Sequence, residues 1–118
     1  MQFMLTVHNA VTAADSFGAY ADQKEMEQAM ADTGAFNQTL VDAGVLLHVG
    51  GLMPGETATV VDATGGEATR TEGPYLPGER VGGFWVIEVD DREKALQFAA
   101  AGSAACRAPV EVRQFAGV

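Results

Sequence analysis

The chain has a single cysteine, Cys106, among its 118 residues. No disulfide can close within the chain, which fits a reducing compartment. The residue follows Ala104-Ala105 just after a helical segment, with Arg107 as its only charged neighbour, so it reads as an inert structural thiol. Basic residues are also scarce: 7 Lys and Arg stand against 16 Asp and Glu, for a formal net charge of -9. Such a field repels phosphate backbones and anionic lipid headgroups, so neither nucleic acid nor a membrane surface is an expected partner. No stretch approaches the ~18 apolar residues of a membrane span. The opening Met-Gln-Phe-Met-Leu-Thr-Val-His has no basic leader and is not a signal peptide. A cytoplasmic protein is expected.

Nucleotide-binding motifs are missing too. The glycine pairs Gly50-Gly51, Gly65-Gly66 and Gly82-Gly83 form neither a Walker A loop nor a GxGxxG turn, so no cofactor is expected. Gly82-Gly83 leads a strand and suggests a bulge or a close backbone approach. His8, His48 and Glu88 have the chemistry of metal ligands, but no HxH or HExxH spacing joins them and separate strands carry the histidines, so no metal is expected.

What is present is globular composition, 47% hydrophobic and 19% charged, at a length that fits one domain over residues 1–118. Phe3 to His8 reads as a strand, and Asn9 to Gly18 as a loop. Asp22, with Glu25 three residues on, reads as the cap of a helix in which Met26, Met30, Phe36 and Leu40 form a core stripe. Gly44 suits its end, and Gly34 inside it suggests a bend. Val45 to Leu52 is a second strand. Thr57–Asp62 and Glu67–Thr71 read as a hairpin, and Val81–Val89 as a strong strand. Asp90 and Glu93 cap a second helix running to about Ala101, with Gly102 its stop, and Val110–Phe115 closes the chain. Without the hairpin the order is βαββαβ, which defines the expected fold: α+β, ferredoxin-like, with an inserted hairpin.

Alternate residues of the core strands separate into two faces. Phe3, Leu5, Val7, Val45, Leu47, Val49, Trp85, Ile87, Val89, Val110 and Val112 are all apolar and belong under the helices. The other face is mixed: Met4, Thr6, His8, Leu46, His48, Gly50, Phe84, Val86, Glu88, Glu111, Arg113 and Phe115. With no helix left to cover it, a second copy of the chain is the simplest cover, giving a homodimer with polar groups around an interior pocket. In the strand order 4-1-3-2, the first and third strands are taken to run parallel. His8, Glu88, Glu111 and Arg113 then share one end of the open face, with His48 farther off. An imidazole beside carboxylates suits acid–base work, with His8 and Glu88 as the pair. A satisfied polar patch at an interface is the other reading.

The most individual segment runs from Thr71 to Trp85 and includes Glu72-Gly73-Pro74-Tyr75 and Glu79-Arg80-Val81-Gly82-Gly83-Phe84. Two Gly/Pro turns in quick succession suit either a plain chain reversal or a rim loop aiming Glu72, Tyr75 or Arg80 over the open face. This segment resembles the DGPF signature of the YCII-related family, and Ala43-Gly44-Val45, Gly51-Leu52, Val89-Asp90-Asp91 and Val110-Glu111-Val112-Arg113 are similar to it as well. Glu72 replaces the signature aspartate, and Leu76-Pro77-Gly78 lacks the usual lysine. His8 and His48 stand where tyrosine and glycine are more common. The histidine–aspartate dyad of the YCII branch does not carry over, because the first helix contains no histidine. The resemblance implies a dimeric α/β barrel of unassigned activity. The expected function is therefore a small-molecule-binding or enzymatic homodimer, with Glu72, Tyr75, Arg80, His48, Glu111 and Arg113 as binding residues. The alternative is a non-catalytic interaction protein accessory to a transcription-regulating system of the extracytoplasmic-function sigma factor type.

Overall fold

The computed structural model describes residues 1–9, 22–76 and 80–117. The expected loop from Asn9 to Gly18 lies almost wholly outside the described residues, as do Pro77, Gly78 and Glu79. The elements are β1 (Gln2–Asn9), α1 (Gln23–Asp42), β2 (Leu46–Gly51), a 3-10 turn (Gly55–Thr57), β3 (Thr59–Asp62), β4 (Thr69–Glu72), β5 (Arg80–Glu88), α2 (Arg92–Cys106) and β6 (Val110–Gln114). The chain is α+β, with two helices over one face of a four-stranded sheet of order β2-β5-β1-β6.

The strand order matches the expected one, but one direction does not. β1 and β5 run antiparallel, with Gln2 opposite Glu88 and His8 opposite Val81. Each strand–helix–strand crossover makes its two strands parallel and leaves room for one strand between them. β5 fills the gap between β1 and β2, and it is antiparallel to both.

The core lies between sheet and helices. Phe3, Leu5, Leu40 and Ile87 are fully buried, each contributing roughly 1.5–3 kcal/mol by leaving water. Trp85 meets the Phe36 ring edge-on, with centroids 5.2 Å apart. The expected faces hold in β1 and β5. They fail in β2, where a register shift between Leu46 and His48 turns Leu46 toward the core and leaves Leu47 exposed. The bulge breaks the alternation only locally, and the expected faces resume with His48 opposite Val86 and Val49 opposite Trp85.

Asp22 caps α1, its Oδ1 accepting from the Glu25 amide at 2.8 Å, and Gly44 ends it at φ 72°. Ala29, Phe36 and Leu40 form the buried stripe. Met30 is exposed and not a core residue. Gly34 neither breaks nor ends the helix. α2 is capped by Asp91, one residue later than expected, and runs past Gly102 to Cys106. Gly102 is a packing glycine: a Cβ there would stand 3.0 Å from the Phe36 ring and 3.5 Å from Trp85. Arg107 ends the helix in the left-handed region at φ 59°, and its guanidinium pairs with Asp32 of α1 at 2.9 Å. β3 and β4 form a separate exposed hairpin, with a longer turn than expected between Asp62 and Thr69.

Candidate functional site

The uncovered face carries the polar cluster. β1 delivers Thr6 and His8, and β6 delivers Glu111 opposite Thr6 and Arg113 opposite Met4. A bulge between Val7 and His8 skips Gly82 on the partner strand, and the His8 amide then donates to the Pro109 carbonyl at 3.0 Å. Met4, Thr6, His8, Val81, Glu111 and Arg113 line a recess of about 250 Å³. Within it the Thr6 hydroxyl and His8 Nε2 lie 2.9 Å apart, and Arg113 Nη2 donates to Glu111 Oε1 at 2.8 Å. The direction of the Thr6–His8 bond depends on the imidazole tautomer.

His8, Glu111 and Arg113 are thus brought together as expected, but Glu88 is not. It lies at the far end of the face, about 20 Å from His8 by strand rise, where its carboxylate accepts from Gln2 Nε2 at 3.4 Å. The antiparallel pairing of β1 with β5 is the reason: it sets His8 and the expected partner Glu88 at opposite ends of the face, too far apart for an acid–base pair. His48 stacks on Phe84 with centroids 5.6 Å apart and stands opposite Val86. It is about 16 Å from His8. Among the described residues no group of His, Cys, Asp or Glu could hold a metal ion.

Two of the expected rim residues, Glu72 and Tyr75, stand away from this recess. Glu72 Oε1 accepts from the Thr59 hydroxyl at 3.4 Å within the hairpin, and Tyr75 is 81% exposed. Neither lines the recess. Arg80 opens β5 opposite Asn9.

A second concavity lies on the helix side, and no expected site residue lines it. It holds about 350 Å³ between α1 and the adjoining ends of β2 and β5. Met30, Thr33, Gly34 and Asn37 face it from α1, and Gly50-Gly51 and Gly82-Gly83 from the strands. Gly83 is needed for the strands to meet, since a Cβ there would stand 3.0 Å from the Gly50 carbonyl oxygen. Cys106 also borders the cleft; burial pushes its thiol up from the ordinary value of 9.0. The sequence signals for this cleft are the two glycine pairs and the glycine inside α1.

The two helices over one face of a four-stranded sheet, with a polar recess on the other face and a cleft beside α1, define a small α+β domain. The chain belongs to the YCII-related family, whose domain model matches residues 1–116. No curated protein matches it. Among the described residues no helix is long and apolar enough to cross a membrane.

Proposed function

We propose that this protein is a cytoplasmic, small-molecule-binding homodimer, in which two ferredoxin-like subunits join open sheet faces into a dimeric α/β barrel. The observation that carries this reading is the bare face itself, where Met4 lines a polar recess, Val86 and Phe84 stand opposite Met4 and Thr6, and no helix among the described residues lies over them. A sheet needs a second layer on each apolar face, and a second copy provides one. The shape agrees: the radius of gyration is 16.0 Å and the thinnest extent is 17 Å, whereas a compact chain of this length has a radius of about 13.5 Å.

Inside such a dimer the imidazole, hydroxyl, carboxylate and guanidinium of His8, Thr6, Glu111 and Arg113 line the interior. Together they can accept, donate or hold a proton on a polar ligand. Light scattering at micromolar concentration is the test, and the expected mass is twice 12.3 kDa. A strict monomer overturns the reading. A crystal structure of the dimer then separates the two functions. An ordered small molecule beside His8 supports binding, while a dry and fully packed interface supports the non-catalytic interaction protein.

A further inference from the structure

We propose that the cleft between α1 and the ends of β2 and β5 binds a neutral, largely apolar small molecule. The argument begins at Gly34. Glycine in a helix interior is unfavourable unless the backbone or a close neighbour requires it. Neither does here among the described residues: its φ is not positive, and a Cβ would meet none of them within 4 Å. Gly51, on the opposite wall, repeats the pattern in a strand, with an ordinary φ and no described residue within 4 Å of a Cβ. Two glycines from separate elements border one volume, and neither has a local reason to be glycine. The open room is what they have in common.

The placement on α1 agrees. Met30, Thr33, Gly34 and Asn37 follow i, i+3, i+4, i+7, so they form one stripe facing the cleft, beside the core stripe of Ala29, Phe36 and Leu40. The volume of about 350 Å³ is at the small end of the ~300–1,000 Å³ range of small-molecule sites.

The walls define the ligand class. Val7, Met30, Val49 and Trp85 present apolar surface, and no charged side chain is among the described lining residues. An anion would face the field of a chain with net charge -9 and find no cation to pair with. A cation would be desolvated without a counter-charge. Both arguments leave a neutral molecule. Asn37 adds one polar contact. Its Oδ1 is taken by the Trp85 indole N–H at 2.6 Å, which leaves the amide nitrogen to donate. The Thr33 hydroxyl lies one turn away. An apolar body with a single carbonyl or ring-nitrogen acceptor fits this edge.

Trp85 is the only tryptophan in the chain and lines the cleft, so its emission reports on this site. The inference does not depend on dimerisation, and its test is separate. The full chain is titrated with neutral N-phenylnaphthylamine and, in parallel, with anilinonaphthalenesulfonate, its anionic analogue. Saturable binding of the neutral probe with energy transfer from Trp85 is expected, with affinity for the sulfonate at least about tenfold lower. Gly34→Leu and Gly51→Leu fill the space from opposite walls. Each is expected to lower neutral-probe affinity at least about tenfold while the circular-dichroism melt stays unchanged or rises. If one variant does not fold, the other is decisive. The proposal is overturned if the wild type shows no saturable binding, if a folded filling variant binds the probe as tightly as the wild type, or if the sulfonate binds equally well.

Discussion

The Trp85 indole N–H donates to Asn37 Oδ1 across 2.6 Å, tying β5 to α1 at the margin of the cleft. Trp85 is only 3% exposed, so water cannot easily replace its partner. Asn37→Leu is expected to cost about 1–3 kcal/mol, the penalty of a stranded buried donor. Trp85→Phe in that background should cost less than Trp85→Phe in the wild type, because the donor is already without its partner. Urea melts of the four proteins check this, and simple additivity of the two losses contradicts it.

Gly102 lets α2 approach the Phe36 and Trp85 rings. Gly102→Leu should destabilise by about 1–3 kcal/mol or more through overpacking. Gly102→Ala should cost less, because better helix propensity offsets part of the strain. Thermal melts rank the two, and a leucine variant as stable as wild type would show that the helix is free to move away.

A small part of the acid sensitivity should trace to the exposed Asp32–Arg107 pair. The Arg107 hydrogen bond, helped by Gln28, holds the Asp32 carboxyl below its ordinary value of 3.8. A depressed carboxyl stabilises the fold above the unfolded value, and that contribution is lost as pH falls through the folded one. Stability should therefore drop as pH falls from about 4, and less steeply in Asp32→Asn. Parallel slopes for the two proteins over that window count against the pair.

Val86 sits on the bare face, opposite Met4. Val86→Glu should shift the light-scattering mass from dimer toward monomer, because it places a desolvated charge at the interface. The circular-dichroism spectrum should be retained, since the helix-side core is untouched. A variant that stays fully dimeric would locate the interface elsewhere.

Cys106 is buried at the end of α2, and burial raises its thiol above the ordinary value of 9.0. Reaction with a disulfide reagent at pH 8 should be at least about tenfold slower in the native protein than in urea, because the thiolate is the nucleophile. Equal rates would indicate that α2 frays at this end.

Much of the fold is local physics and was legible in the sequence. Asp22 caps and Gly44 stops a helix with neighbours within four residues. The alternation Phe3-Leu5-Val7 and Trp85-Ile87-Val89 marks a one-sided sheet, because side chains in a strand alternate by geometry alone. The sharing of one recess by His8 and Glu111 follows once β6 is known to lie antiparallel beside β1, with Glu111 opposite Thr6.

Tertiary structure decided the rest. Strand direction is a property of the crossovers and not of any one strand, so Glu88 moved to the other end of the face from His8. The bulge in β2 turned Leu46 toward the core and left Leu47 exposed, because one extra residue interrupts the alternation there before it resumes at His48. Gly102 reads as a helix stop from its own sequence, yet it exists for rings contributed by α1 and β5. The cleft beneath α1 is legible only as glycines without a local purpose. Its walls come from segments far apart in the chain, and their meeting depends on how helix and sheet pack rather than on any local run of residues.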